Sequence, residues 1–525
     1  SEAVVISGFF HLLSLARAGF VFAREGVLGL VDPVVLPAGP RFLLRCARLA
    51  ERRNAGSGSV RLAKALTRLG PSYVKLGQFL ATRPDVVGAA IASDLESLQD
   101  RMPPFSQRQA EAAIVEGLGK PVAELFAQFG PPVAAASIAQ VHRADVASET
   151  GMRPVAVKVL RPGVEYRFQR DLDTFFYAAR LGEHYSTEAR RLRLISTVET
   201  LARSVAMEMD LRLEAAAFSE LAQNTKDDPD FRVPMVDWAR TAKRVLTVAW
   251  VDGIPLNDRN KLAAAGFDFK HLARVVIQSF LRQALRDGFF HADMHPGNLF
   301  VDKAGNLVAV DCGIMGRLGP SERRFLAEIL YGFITGDWRR TAEVHFEAGY
   351  VPAHHSVDDF AQAIRAIGEP IRERPASEIS MAKLLTLLFE VTAIFDMKTR
   401  PELLLLQKTM VVVEGVARAL DPDFDMWATS EPVVREWIER NLGPVGRVEN
   451  AAQELGGFAR LVGSAPSLLS RAAQTFERLD EQTKDGLVLS PATVEAIGES
   501  KRRGRAWMTA ALWAIALLIA IWLFR

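Results

Sequence analysis

The residues best placed to do chemistry lie between His291 and Gly313. His291-Ala-Asp293-Met-His-Pro-Gly-Asn298 is followed by apolar Leu299 to Val301, a polar Lys303-Ala-Gly305-Asn306 turn, apolar Leu307-Val-Ala-Val310, and then Asp311-Cys312-Gly313. Phosphoryl transfer needs one carboxylate near the nucleophile, with an Asn and a second carboxylate to hold Mg²⁺ against nucleotide phosphates. Asp293, Asn298 and Asp311 are those residue types in that order. Asp293 is the expected catalytic carboxylate, and Asn298 and Asp311 are the expected metal ligands. The competing reading of His291 and His295 as a metal-binding pair on one helix face fails, because Pro296-Gly297 breaks any helix there.

A second group of residues lies upstream. Ala134-Ala135-Ala136-Ser137-Ile138-Ala139-Gln140-Val141 keeps the spacing of the kinase phosphate loop G-x-G-x-x-G-x-V, with Ala for each Gly, and Val155-Ala-Val-Lys158 follows. Alone, the Ala-rich stretch reads as helix or core. At this distance from Val155-Ala-Val-Lys158 it reads as a modified phosphate loop that binds nucleotide, with Lys158 contacting the phosphates. Each added methyl forbids the left-handed backbone open to Gly and limits how closely the chain approaches a phosphate, so a stiffer loop is expected.

With these motifs in view, the chain resembles the UbiB family of atypical kinases, the ADCK-like proteins tied to ubiquinone (coenzyme Q) biosynthesis, from about residue 60 to at least residue 320. Lys75-Leu-Gly-Gln78 resembles that family's K-x-G-Q motif. Glu208-Met-Asp210 with Glu214 resembles its E-x-D motif followed by the helix glutamate. The resemblance implies that the Lys75 and Gln78 segment covers the active site with Glu208 and Asp210 against it. A kinase-like site requires either Glu208 or Glu214 to pair with Lys158; position in the family favours Glu214, with Glu208 facing Lys75. The resemblance also implies the cofactors ATP and Mg²⁺.

Several elements must position these groups. Strand–turn–strand patterning places Asn298 and Asp311 on a hairpin. Pro71 can open a helix that carries Lys75 and Gln78 on one face. Val205, Met209 and Leu213 form an apolar stripe that reads as one helix bearing the acids elsewhere. Ser106 with Gln109 reads as a capping box. Lys158 and Glu208 are fifty residues apart, and the charged helical pattern from Arg161 to Arg203 implies an N-lobe insertion. Trp250, in Val248-Ala-Trp-Val251 before the Asp252-Gly253 turn, is the expected adenine hinge. No Ala-Pro-Glu follows Asp311, so the platform for a peptide substrate is missing; Cys312 reads as a small buried residue.

The 525-residue chain is 49% apolar, enough for more than one domain. A net charge of +2 gives no basic field, and no nucleic-acid motif is present, so nucleic acid is not an expected partner. Cys46 and Cys312 allow at most one disulfide and fit a reducing setting. Ala506 to Phe524 carries no charge and follows Lys501-Arg-Arg-Gly-Arg505, the pattern of a membrane-spanning helix with the kinase domain on the cytoplasmic side. A buried terminal helix is the alternative. Ala506, Ala510 and Ala514 form a small-residue face suited to pairing with a second copy. Ala3 to Phe22 reads as an amphipathic helix on the membrane or on the domain.

The expected fold class is α+β: a protein-kinase-like two-lobed fold with an N-terminal helical extension, an N-lobe insertion and a C-terminal transmembrane helix. Its expected parts are a 1–105 extension, a 106–252 N-lobe, a 253–440 C-lobe, a 441–500 helical tail and linker, and a 501–525 basic flank and membrane helix. The expected function is a membrane-anchored ATP-dependent atypical kinase or ATPase supporting ubiquinone biosynthesis. Expected partners are a polyprenyl phenol or ubiquinone precursor, anionic phospholipid, other proteins of that pathway and a second copy, at the bacterial inner membrane. The alternatives are a protein-kinase-type regulator of a pathway hydroxylase and a nucleotide-binding pseudokinase scaffold.

Overall fold

Alternating Val155, Val157 and Val159 all point one way from their strand and are fully buried, while Ala156 and Lys158 point the other way. In the computed structural model, which describes residues 2–27, 58–81, 83–96, 102–149, 151–372, 391, 394–397 and 401–443, these valines pack on Ala113 and Ile114. Those two belong to the helix Gln107–Leu118, which starts at the capping box expected for Ser106 and Gln109. The strands are β1 (Gln128–Ala135), β2 (Ala139–Ser148), β3 (Gly151–Leu160) and β5 (Val245–Ala249), in the order β1-β2-β3-β5. Register sets Lys158 opposite Val141 and Leu246. A slip of one residue would drive the lysine into the valine layer, so core packing fixes where its ammonium stands.

The insertion is helical, as its charge pattern predicts: Val164–Tyr185, Thr187–Arg191 and Leu194–Glu208. The single helix expected through Val205 and Leu213 is a correction. The chain breaks at Met209–Asp210, and a new helix runs Leu211–Asn224. Asp210 caps it by accepting the Arg212 N–H at 3.1 Å, which offers the backbone an alternative to continuing the first helix. Leu213 is accordingly 52% exposed and Leu211 is buried.

The extension helix Pro71–Ala81 lies against the insertion, where the Tyr73 and Phe175 rings meet edge to face at 5.0 Å, and the helix Gly58–Leu69 packs on Pro71–Ala81. The helix Glu2–Arg24 also rests on the insertion. Its His11 Nδ1 lies 3.1 Å from Thr174 Oγ1, and its ring stacks on Tyr177. Of the two settings open to this segment, the structure shows packing on the domain.

Beyond β5 the chain crosses to a second sheet, ordered β4-β9-β8-β6, with β4 at Phe231–Arg232, β6 at Gly253–Pro255, β8 at Leu299–Asp302 and β9 at Leu307–Ala309. Residues 250–252 are therefore the hinge between the sheets. β4 pairs with β9 from the far side of that hinge, so the second sheet recruits a strand from within 106–252. The helix Phe269–Leu281 passes into a π segment, Arg282–Asp287. Gly288 (φ +66°) then turns the chain where a Cβ would meet Leu318 O at 2.5 Å. The strands β7 (Phe289–His291) and β10 (Met315–Arg317) pair next, and Gly316 leaves room for the Phe290 ring. The helices Pro320–Thr335, Trp338–Glu347, Val357–Arg372, Pro401–Leu420 and Met426–Leu442 complete the described part of the C-lobe.

Among the described residues no helix is long and apolar enough to cross a membrane. The transmembrane helix expected at 506–524, its basic flank and the 444–500 segment lie outside those residues, as does Cys46.

Candidate functional site

The hairpin β8–β9 forms as its sequence requires, pairing Leu299 with Ala309 and Val301 with Leu307. Asp302 closes its tip by accepting the Ala304 and Asn306 N–H groups at 2.9 and 2.8 Å. Asn298 and Asp311 flank the hairpin at its open end, where Val310 N–H donates to Asn298 O at 2.9 Å. The Asn298 amide donates to Asp293 Oδ2 at 2.9 Å and to Asp293 O at 3.1 Å, which commits its nitrogen to the Asp293 loop. His291 is buried. Its Nδ1 accepts the Asp293 N–H at 3.1 Å, so its Nε2 carries the proton and donates to Asp311 O. Burial holds the ring below the usual histidine pKa, consistent with a neutral imidazole. His291 is thus a brace between the Asp293 loop and the Asp311 turn.

Lys158 Nζ donates to Glu214 Oε1 and Oε2 at 2.7 and 2.9 Å and to Asp311 Oδ2 at 2.9 Å. Burial works against its charge, but Asp311 and Glu214 together hold its pKa above the ordinary lysine range. Burial would likewise raise Asp311, yet Lys158 and the Gly313 N–H, 2.8 Å from Oδ1, hold that carboxyl well below the usual range. Its side chain remains 39% exposed, open to a ligand. Cys312 between them is buried, and burial pushes its thiol up.

Lys75 forms an ion pair with Glu208, at the end of the insertion helix. Gln78 is half-buried on the same helix as Lys75. Asp210, two residues beyond Glu208, chelates Arg212 at 2.9 and 2.6 Å while capping the helix that carries Glu214.

The Ala-rich loop is the β1–β2 turn, closed by Ala136 N–H to Ala139 O at 2.8 Å. None of residues 134–141 has a positive φ, so alanine fits this backbone without strain. Arg161 clamps the tip, donating to Ala136 O at 3.0 Å, Ser137 O at 3.1 Å and Pro103 O at 2.8 Å. Ala134, Ala135 and Ala136 are partly or fully accessible, whereas Ser137, Ile138 and Ala139 are buried. Gln140 has a second role in the structure. Its buried amide accepts Phe105 N–H at 2.9 Å and donates to Phe105 O at 3.2 Å, so it pins the end of the extension on the strand face opposite Lys158. The reason is strand alternation: Val141, not Gln140, shares the face of Lys158. At the hinge, Trp250 N–H donates to Pro154 O at 3.1 Å, and Arg143, on the Val141 face, lies 5.2 Å over the indole.

Three supports had no signal in the sequence. Thr409 Oγ1 donates to Ala292 O at 3.1 Å, bracing the Asp293 loop from the Pro401–Leu420 helix. Gln283 Oε1, on the π segment, accepts the His291 N–H at 3.0 Å. Arg161 reads in the sequence only as the start of the insertion. Each acts through a backbone atom of a distant segment, which spacing along the chain does not reveal.

Two sheets joined at a hinge, a strand lysine paired with a helix glutamate, and a hairpin flanked by Asn and Asp define an atypical kinase-like domain. Residues 97–345 match the ABC1 atypical kinase-like domain, and residues 364–425 match the UbiB helical domain. The chain is 39% identical over 469 residues to "Probable protein kinase UbiB" of Marinobacter nauticus, covering 88% of this chain and 85% of that protein. Its identity to the protein of the same name from Azotobacter vinelandii is 40% over 455 residues, 85% of this chain and 84% of that one. The chain belongs to the UbiB family. The chain in the Rv3197-erythromycin complex from Mycobacterium tuberculosis has a similar fold, with a TM-score of 0.50 and 24% identity over 68% of this chain and 90% of that one.

Proposed function

We propose that this protein is an Mg²⁺- and ATP-dependent atypical kinase or ATPase that supports ubiquinone biosynthesis at the bacterial inner membrane. The observation that carries the reading is the bridging of Glu214 and Asp311 by the Lys158 ammonium, which holds a cation for phosphates beside a carboxylate for a metal. Asp311 and the Oδ1 of Asn298 are hard oxygen donors of the kind Mg²⁺ prefers, so the residues present fit that ion. When bound, Mg²⁺ would neutralise charge on the nucleotide phosphates.

The chain's own residues would then divide the work. Lys158 orients phosphate oxygens, and Glu214 keeps Lys158 aimed. Ala134 to Ala136 border the phosphates, with Trp250 at the adenine edge. Asp293, steadied by Asn298 on one oxygen, positions the acceptor and takes its proton. Lys75 and Gln78 belong to a cover, with Glu208 as its latch, that narrows access and favours a small or lipid acceptor over a peptide. The sequence of residues 501–525 supports anchoring beside anionic phospholipid, with the kinase domain cytoplasmic and a second copy as a packing partner.

The test is Mg²⁺-dependent ATP turnover by the full chain, with and without anionic liposomes and a polyprenyl phenol. Turnover that disappears in Asp293→Asn is the expected result. Mg-ATP binding without turnover under every condition would favour the scaffold reading instead. Phosphate transfer to a pathway hydroxylase would favour the regulator.

A further inference from the structure

Remote from the Lys158 cleft, in the helical part of the C-lobe, two neighbouring histidines converge on one carboxylate. His354 and His355 lie in a turn closed by His355 N–H to Pro352 O at 3.2 Å. His354 Nε2 is 3.8 Å and His355 Nε2 is 3.3 Å from the same oxygen, Asp396 Oδ2. The imidazole centroids are only 4.1 Å apart. Side chains adjacent in sequence usually diverge; here both aim the same ring nitrogen at one point. The three donor atoms all lie within 4.8 Å of one another.

We propose that His354, His355 and Asp396 bind a divalent transition-metal ion, with zinc the best match, at a site separate from the nucleotide cleft. Zinc binds imidazole nitrogen and carboxylate oxygen at about 2.0–2.1 Å in tetrahedral geometry, which sets donor atoms about 3.3 Å apart. The separations of 3.3 and 3.8 Å are already close to that value. A two-imidazole, one-carboxylate set suits zinc, copper or nickel, and it suits Mg²⁺ poorly because that ion takes oxygen donors and keeps its water. The two sites would therefore be sorted by chemistry, oxygen donors at Asp311 and Asn298 and nitrogen donors here.

The surroundings are built to hold the donors in place. His355 is only 20% exposed and its ring packs on Phe395 at 5.3 Å, next to Asp396. Phe395 in turn packs on Phe360, within a buried cluster that also holds Trp338 and Ile364. His354 and Asp396 are 67% and 68% exposed, which gives solvent access to the fourth coordination position. The donors come from segments far apart in the chain, so a bound ion would clasp the turn before the Val357–Arg372 helix to the 394–397 segment. Such a cross-link favours the folded state by binding it alone.

The experiment is zinc competition against a chromogenic chelator, using the full chain in excess Mg²⁺ to occupy the oxygen-donor site, followed by elemental analysis. One zinc per wild-type chain is expected. His354→Ala, at an exposed position, and Asp396→Asn, which keeps the side-chain shape, should each weaken zinc affinity about tenfold or more. Both should keep the thermal shift given by Mg-ATP, which shows that they are folded. Slower hydrogen exchange at residues 353–356 and 394–397 with zinc, in wild type only, is the second expected readout. Zinc affinity unchanged in both variants, or no zinc retained by the wild type, would overturn the proposal.

Discussion

Lys75 of the extension and Glu208 of the insertion form an ion pair whose side chains are only 13% and 18% exposed. Through it the extension is tied to the stretch that ends in the Asp210 cap and leads to Glu214, the partner of Lys158. The extension and Lys158 are thereby linked by a short run of chain. Removing either charge leaves the other poorly solvated, so both single variants should loosen the cover. Lys75→Ala and Glu208→Gln should each raise basal ATP turnover or widen the acceptor range. The double variant should match the singles, with a coupling of about 0.5–3 kcal/mol in a double-mutant cycle. Additive effects would mean that the Lys75–Glu208 pair does not hold the extension in place.

The docking of that cover can be read through Tyr73. Its phenol is pushed up to about 12 from 10.0, first by burial and then by the Asp171 carboxylate. A group whose pKa rises on folding contributes its full share of stability below the unfolded value and loses it as pH climbs through the folded one. The relevant window is pH 10 to about 12, and the share is about 2–3 kcal/mol. Tyr73→Phe keeps the edge contact with Phe175 and removes the titration. The stability difference between wild type and variant should be flat below pH 10, and wild type should lose stability relative to the variant across the window; a difference flat throughout would mean that docking the extension on the insertion does not bury the phenol.

Asp311 is the expected main metal carboxylate. Asp311→Asn keeps its shape and the Gly313 N–H contact but removes the charge facing Lys158. The variant should lose the Mg²⁺-dependent part of the thermal shift given by ATP, and Asn298→Ala should weaken it about tenfold. An unchanged shift in Asp311→Asn would remove Asp311 from the metal site.

How much of this was legible depends on the kind of constraint. The β8–β9 hairpin is legible from its apolar runs and turn residues, the Ser106 cap from its capping-box spacing and the strand of Lys158 from the Val155-Ala-Val-Lys158 motif, because each is a local pattern. The pairings of Lys158 with Glu214 and of Lys75 with Glu208 came from resemblance; nothing in their spacing implies them. One reading fails for a local reason: a stripe through Val205 and Leu213 takes no account of the capping power of Asp210. Strand alternation likewise puts Gln140 on the face opposite Lys158, which the loop spacing alone does not show. The link from Thr409 to Ala292 had no sequence signal at all, since a hydroxyl on a helix reaching a backbone carbonyl leaves no pattern.

The phosphate loop offers a test of stiffness. Arg161 holds the carbonyls of Ala136 and Ser137, and alanine removes left-handed freedom at the same place. Ala136→Gly and Arg161→Gln should therefore act in the same direction, changing the ratio of ATP to ADP affinity several-fold. Opposite effects would mean that the clamp and the methyl groups do different jobs.

Thr409 provides the last prediction, because it separates bracing from chemistry. Its hydroxyl reaches Ala292 O, the carbonyl just before Asp293, and also lies 2.8 Å from Leu405 O on its own helix. The side chain is buried, so Thr409→Val keeps the volume but leaves the Ala292 carbonyl short of a donor, a loss of about 1–3 kcal/mol in stability. Thr409→Ser keeps the donor and should cost less. If the bond also orients Asp293, Thr409→Val should lower kcat while leaving the KM for ATP near wild type, because Lys158, Asp311 and the phosphate loop are untouched. Rescue of kcat by Thr409→Ser but not by Thr409→Val would show that the donor, rather than packing, sets the position of the catalytic loop. Equal kcat in both variants would confine Thr409 to stability.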